Sequence, residues 1–167
     1  FLKAQNEKCI KILERGSTHI EFQNQVLKEE YEIQNIKFKE ISKYIIEKEN
    51  QEYELADYIM VPTDFVKKTF IDKGFPKEKI IKNPYGVNLN QFKPNKTKEH
   101  FNKVFRIIYT GTVSVRKGIL YLLETFEELN IKNSELLIIG NTDKELNKKL
   151  KKYKNNEKIK FKNAIDK

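Results

Sequence analysis

Short apolar runs alternate with longer segments of helical periodicity along this chain, and this alternation constrains the fold more than any other feature. Residues 58–61 are four consecutive apolar residues that stop at Pro62, and residues 105–109 form a run that leads into Gly111. Residues 20–56 contain neither Gly nor Pro and repeat Ile and Tyr at mostly helical spacings, which predicts a helix with one break. Strands that alternate with helices form βαβ units, so we predict an α/β fold with parallel sheets.

A polar stretch divides this pattern into two parts. Residues 88–103 are mostly polar and contain Pro94, which is typical of a linker. We therefore predict one α/β segment over residues 1–88, a linker over 89–103 and a second segment over 104–167. Further strands are predicted at residues 8–13, 79–81, 135–139 and 159–161, and further helices at residues 64–73, 118–129 and 143–153.

Four aromatic residues fall on the apolar faces of the predicted helices. They are Phe65, Phe70, Tyr121 and Phe126. Aromatic side chains at helical spacing are typical of a buried face, so we expect all four in the core.

The excess positive charge is concentrated in the last third of the chain. The net charge is +9, and a lysine cluster lies in the predicted helix over residues 143–153 and just after it. The cluster consists of Lys148, Lys149, Lys151, Lys152 and Lys154. The simplest interpretation is a solvated helix face. Peripheral contact with the anionic inner leaflet of a membrane is an alternative that stays open. Nucleic acid is disfavoured, because the cluster has no Arg and little aromatic interleaving.

Cysteine content and hydropathy indicate the compartment. The single cysteine, Cys9, excludes a disulfide framework or a clustered-thiolate metal site within the chain. No stretch approaches the roughly 20 apolar residues that cross a bilayer. We therefore expect a cytoplasmic protein, with association at the cytoplasmic face of the membrane left open.

The segment from Phe105 to Gly118 predicts an anion-binding site. A strand runs into Gly111, and Arg116 and Lys117 then precede a predicted helix. Ligands of open α/β sheets bind at the carboxyl ends of strands, where helix N-termini attract anions. Two basic residues at the positive end of a helix are unfavourable unless an anion is bound there. The sequence contains neither a P-loop nor a G-x-G-x-x-G pattern after a strand, so a diphosphate held by basic side chains is the surviving hypothesis.

Several motifs, taken in order, resemble retaining glycosyltransferases of family 4, which have the GT-B fold. They are ADYIMVP at 56–62, PYGVN at 84–88, FKP at 92–94, YTGTVSVRKG at 109–118, LYLLETF at 120–126 and ELLIIG at 135–140. The resemblance implies two Rossmann-like domains that face each other across a cleft. Residues 1–88 would end the acceptor-side domain and residues 104–167 would begin the donor-binding domain. Both domains would then be incomplete, and we expect this chain to be inactive alone.

The same resemblance assigns the donor site. Lys117 matches the lysine that contacts the donor diphosphate, and Gly111, Thr112 and Arg116 would complete that contact. Many members carry a basic residue where this chain has Thr112, so Arg116 is expected to compensate. The turn that contains Tyr85, Gly86, Val87 and Asn88 would form the hinge at the cleft.

An upstream segment supplies the catalytic candidates. Residues 14–19, ERGSTH, resemble a loop in a subset of these enzymes. His19 would lie on the acceptor side of the cleft and contact the transferred sugar, with Arg15 beside it. The alternative is that His19 is a residue at a helix N-terminus, bonded to a nearby backbone group.

The implied activity is hexosyl transfer from a nucleoside-diphosphate sugar to a glycan or lipid-linked acceptor, with retention, in cell-surface polysaccharide or glycolipid synthesis. No metal or other cofactor is expected, because fixed cations would stabilise the leaving diphosphate and no Asp-x-Asp pair is present. Two alternatives remain: a non-catalytic nucleotide- or polyanion-binding α/β module, and a nucleotide-sugar epimerase of GT-B architecture.

Overall fold

The computed structural model describes residues 8–94 and 104–164, and the chain divides into two compact units. In the first unit the elements are β1 Ile12–Glu14, α1 Ile20–Ile33, α2 Lys43–Leu55, β2 Tyr58–Val61, α3 Asp64–Ile71, a 3-10 turn Lys77–Lys79 and β3 Ile80–Lys82. In the second unit they are β4 Phe105–Thr110, a 3-10 turn Val115–Lys117, α4 Ile119–Leu129, β5 Ser134–Ile139, a 3-10 turn Lys144–Leu146, α5 Asn147–Lys154 and β6 Ile159–Lys162.

Each unit is built on a three-stranded parallel sheet. The strand orders are β1-β2-β3 and β4-β5-β6. In the first sheet Leu13 pairs with Ile59, and Ile59 pairs with Ile80. These observations confirm the predicted α/β class with parallel sheets, in a Rossmann-like arrangement.

Local capping explains where the helices of the first unit begin. The Ser42 side chain accepts a hydrogen bond from the Ile45 N–H at the start of α2. Thr63 does the same for the Val66 N–H at the start of α3. Each cap satisfies a backbone donor that has no partner inside its helix. Ser42 also marks the point at which the predicted helix of residues 20–56 resumes after its break.

The core of the first unit is aromatic. Tyr53, Phe70 and Phe75 are buried and pack edge to face, with ring centroids 5.0–6.1 Å apart. Ile59 and Val61 of β2 are buried beside them, whereas Tyr58 is exposed. The period-2 alternation on β2 therefore directs one row of side chains into this aromatic cluster.

The second unit has a mainly aliphatic core, and three charged side chains pair across its sheet. Buried side chains come from α4, β5 and α5, and include Leu123, Leu136 and Leu150. Glu135 of β5 lies between Arg106 of β4 and Lys160 of β6 and pairs with both. The hydrogen bond from Lys160, followed by that from Arg106, lowers the pKa of the Glu135 carboxyl. The two cations explain how a carboxylate is accommodated in a central strand.

Two predictions about the aromatic residues are wrong. Phe70 and Phe126 are buried as expected, but Phe65 is 61% exposed and Tyr121 is 44% exposed. Both exposed residues lie on amphipathic helices, outside the sector that faces the sheet. The first strand is also shorter than predicted, since β1 begins at Ile12. Within the described residues, no helix combines the length and apolar character required to span a bilayer.

Candidate anion-binding site

Two glycines at the ends of neighbouring strands shape the site in the second unit. Gly111 follows β4 and donates its N–H to the Ile139 carbonyl at 3.0 Å. Gly140 follows β5, has a φ of +153°, and packs directly on Gly111. A Cβ atom on Gly140 would lie 1.8 Å from the Gly111 carbonyl oxygen. Only glycine fits this contact, because the neighbouring atom is backbone.

The two loops that follow these glycines are joined by backbone hydrogen bonds. Val113 donates to the Asn141 carbonyl at 2.8 Å, and Asp143 donates to the Val113 carbonyl at 3.0 Å. The Tyr109 hydroxyl donates to the Thr112 carbonyl at 2.7 Å. Val113 and Ser114 are buried, whereas Gly111 and Thr112 are exposed. The two hydrogen-bonded loops after Gly111 and Gly140 thus form a surface at the carboxyl edge of the sheet, which we call the shelf. The backbone of Gly111 and Thr112 is exposed on it.

Arg116 and Lys117 lie on a 3-10 turn directly after this shelf. The turn spans Val115–Lys117 and ends at Gly118, whose φ is +67°. The predicted helix begins at Gly118, whereas α4 begins at Ile119, so the two cations precede the helix as expected but lie on a separate 3-10 turn. Arg116 and Lys117 are both exposed. Among the ion pairs of residues 8–94 and 104–164, none includes either cation.

The N-terminus of α4 has no side-chain cap. Gly118 is the N-cap residue and has no side chain to accept hydrogen bonds from the first turn. Its left-handed backbone conformation is one that glycine adopts readily. An uncapped helix N-terminus carries unsatisfied N–H groups and a partial positive charge. Together with Arg116 and Lys117, this arrangement can bind an anionic group.

In the first unit, Arg15 is held by internal partners. Its Nη1 lies 2.9 Å from Glu49 Oε2, and its Nε donates to the Thr18 carbonyl at 3.2 Å. The Tyr53 hydroxyl donates to the same Glu49 oxygen at 2.7 Å. Burial, followed by this hydrogen bond, raises the pKa of Tyr53. Arg15 therefore fixes the loop after β1 against α2.

His19 lies in the aromatic core and caps a helix. The residue is 2% exposed, and its ring centroid lies 5.0 Å from that of Tyr53 and 5.3 Å from that of Phe70. Its Nδ1 accepts the Glu21 N–H at 3.3 Å, at the start of α1. The backbone N–H of His19 donates to Thr69 Oγ1 at 3.1 Å. This geometry supports the second interpretation of His19, a helix-end residue bonded to nearby backbone, and the catalytic role stays a prediction.

The environment of His19 predicts a pH dependence of stability. Burial lowers the pKa of the His19 imidazole below its ordinary value of 6.5, and nearby Lys73 and Arg15 act in the same direction. On average, the His19 imidazole therefore binds a proton more often in the unfolded chain than in the folded chain at pH values around 6.5 and below. Stability should fall as the pH drops below about 6.5, with a slope of at most about 1.4 kcal/mol per pH unit.

We expect His19→Asn to remove this slope while keeping a side-chain acceptor at the helix N-terminus. The measurement is the free energy of unfolding by urea between pH 5 and pH 7. His100→Asn is the control, because it removes the only other histidine and keeps His19. If the free energy of unfolding of His19→Asn changed with pH as steeply as that of the unsubstituted chain, His19 could not be the buried, neutral imidazole that causes the slope.

The predicted hinge turn contacts the loop that follows β1. A Cβ atom on Gly16 would lie 2.4 Å from the Tyr85 hydroxyl oxygen, so Tyr85 lies against the backbone at Gly16. Tyr85, Gly86, Val87 and Asn88 are all exposed. The structure thus brings Tyr85 close to the segment that contains Arg15 and His19, at the carboxyl edge of the first sheet.

Sequence reasoning missed the partner of Gly111. Gly140 was seen only as the end of a strand, although the strand-then-glycine pattern occurs at the end of both β4 and β5. Adjacent parallel strands that both end in glycine are the signal that could have found this contact.

Among the described residues, no group of three or more His, Cys, Asp or Glu side chains could hold a metal ion. No known protein-family model and no curated protein matches this sequence.

Proposed function

We propose that this chain contributes the diphosphate-binding part of a retaining glycosyltransferase of GT-B architecture. The observation that carries the proposal is the glycine-edged shelf of the second unit, followed by Arg116, Lys117 and the uncapped start of α4. A diphosphate could accept hydrogen bonds from the exposed backbone at the carboxyl edge of the sheet and pair with the two cations.

In the proposed reaction, a hexose moves from a nucleoside diphosphate to a hydroxyl of a glycan or lipid-linked acceptor. The leaving diphosphate gains negative charge as its bond to the sugar breaks. Lys117 and Arg116 would stabilise that charge in the transition state, without a metal ion. The reaction would take place in the cytoplasm, in the synthesis of cell-surface polysaccharide or glycolipid. Arg15 and His19 are proposed on the acceptor side by resemblance, and Arg15 acts there through the loop it fixes.

Binding of pyrophosphate and of a panel of nucleoside diphosphates to this chain tests the site. A charge-assisted hydrogen bond contributes about 1.5–3 kcal/mol, so Lys117→Ala should weaken binding roughly 10- to 100-fold. Arg116→Ala should show an effect of similar size. Lys148→Ala is the matched control, since Lys148 is an exposed lysine of the same unit, on α5. Equal losses in Lys117→Ala and Lys148→Ala would contradict a localised site.

A second candidate is a non-catalytic polyanion-binding module. It is favoured by α5, whose sequence NKKLKKYK contains five lysines and no acidic residue. Leu150 and Tyr153 anchor this helix in the core, and most of its lysines are exposed. This module would be favoured if polyanion binding depended strongly on salt, weakened when lysines of α5 were replaced and was unchanged in Lys117→Ala.

A further inference from the structure

The outer face of α5 carries lysines that the proposed glycosyl transfer does not use. Leu150 and Tyr153 are completely buried and hold this helix on the second unit. No apolar side chain of α5 is exposed, so its outer face is polar and mainly charged. Four of its five lysines are exposed and the other, Lys149, is partly buried.

Helix formation alone does not account for these lysines. The first turn of α5 holds Lys148 and Lys149 and no acidic residue, although the positive end of a helix favours acidic side chains. Lys148 and Lys152 are four residues apart on the helix, a spacing at which like charges repel each other. Only the lysines of the last turn suit the negative end of the helix.

Acidic side chains flank α5 on the side of Lys149 and Lys152. Glu124 and Glu127 of α4 interact electrostatically with Lys152. Glu145 lies four residues before Lys149 in the sequence. These carboxylates offset part of the charge on that flank of the helix.

Lys148, Lys151 and Lys154 form a row on the other flank. They are three residues apart and all exposed, and the row spans about 9 Å along the helix axis. Across the described part of the chain, no ion pair includes any of the three. Residues 104–164 hold 13 basic and 7 acidic side chains, so the unit around the row also has a net positive charge. The row therefore presents unneutralised positive charge to the solvent.

The chemistry of this row favours an anionic lipid surface over a nucleic acid. Arginine is the residue that binds phosphates and bases in a bidentate way, and α5 contains none. Single-stranded nucleic acids stack their bases on exposed aromatic rings, whereas Tyr153, the only aromatic residue of α5, is buried. A lipid surface requires neither feature, because its anionic headgroups attract lysines by charge alone.

We propose that Lys148, Lys151 and Lys154 dock the second unit on a membrane surface that contains anionic lipids. The contact is electrostatic and does not insert into the bilayer, because the apolar side chains of α5 face the core. The proposal does not rest on glycosyl transfer. It assigns α5 to a lipid surface instead of a soluble polyanion.

Flotation of the chain with phosphatidylcholine vesicles that contain about 30% phosphatidylglycerol tests this contact. We expect saturable binding at about 0.1 M salt and none at about 1 M salt, where charges are screened beyond about 3 Å. Vesicles of phosphatidylcholine alone should not bind. Each lysine near an anionic surface strengthens binding about fivefold, so replacing Lys148, Lys151 and Lys154 together by Gln should weaken it roughly 100-fold.

The matched control replaces Lys37, Lys43 and Lys48 together by Gln. These lysines are exposed and lie in the first unit, so the control removes the same charge from another surface. We expect it to weaken binding less than about fivefold, the contribution of one lysine. Glutamine has a helix propensity close to that of lysine, so both triple variants should fold, which circular dichroism would verify.

Equal binding to the two kinds of vesicle, binding that persists at high salt, or equal losses in the two triple variants would overturn the proposal. Tighter binding to heparin or single-stranded RNA than to the anionic vesicles would also overturn it, in favour of the soluble polyanion. Pyrophosphate binding should be unchanged in the α5 variant, so the membrane contact and the diphosphate site can fail independently.

Discussion

Gly140→Ala should destabilise the second unit by about 4 kcal/mol or more. The new Cβ would lie 1.8 Å from the Gly111 carbonyl oxygen and 2.7 Å from its carbonyl carbon. Both atoms belong to the backbone of Gly111, which is held on either side by the hydrogen bonds of Gly111 N–H and Val113 N–H. The φ of +153° adds strain for any residue with a side chain.

Such a loss is a large part of the roughly 5–15 kcal/mol that stabilises a typical domain. We therefore expect the melting temperature of the second unit to fall by more than about 15 °C. Hydrogen exchange resolved by residue would assign the loss to β4, β5 and β6. Pyrophosphate binding should be lost with it, since the same contact shapes the shelf.

Gly86→Ala is the control for Gly140→Ala. A Cβ on Gly86 would meet no atom within 4 Å, and the residue is exposed. Its effect should stay within about 0.5 kcal/mol. If the free energy of unfolding of Gly140→Ala were within about 1 kcal/mol of that of the unsubstituted chain, the contact between Gly111 and Gly140 would be wrong.

Phe70→Ala should lower the free energy of unfolding of the first unit by about 3–5 kcal/mol. Phe70 is completely buried, and its ring packs against Tyr53, Phe75 and His19. Truncation would leave a cavity at the centre of this cluster, and the rings around it cannot collapse to fill it. Urea denaturation should show a lower midpoint.

Phe65→Ala provides a matched control on the same helix. Phe65 is 61% exposed, and its one ring contact among the described residues is with Phe22, at 5.9 Å. An exposed aromatic pair contributes about 0.5–1.5 kcal/mol, so the loss should be several-fold smaller than for Phe70→Ala. Equal losses would contradict the placement of α3 on the sheet.

Phe65 and Phe70 show that the sequence does not predict which face of α3 packs on the sheet. Both residues suit an amphipathic helix, and periodicity placed both in the core. Which sector of α3 faces the sheet depends on the packing of β2 and α2, which are distant in sequence. Hydrophobic periodicity carries no information about that rotation.

In the candidate site, too, some features could be predicted from local sequence and others depend on the folded structure. Gly111, Arg116 and Lys117 were predicted from a strand that runs into glycine and then into a helix, because these signals are local. The packing of Gly140 on Gly111 joins two strands, and the internal pairing of Arg15 with Glu49 joins a loop to a helix. Each such contact depends on residues brought together only by folding.

The order of strands and helices, the parallel α/β class and the helix that begins at Asp64 could be predicted from the sequence alone. These features follow from side-chain periodicity and from hydrogen bonds that span only a few residues. Folding places His19 in an aromatic core, pairs Arg15 with Glu49 and brings Gly111 and Gly140 together at the strand ends. Those features arise from contacts between distant segments, whose geometry is fixed when the sheets and helices pack.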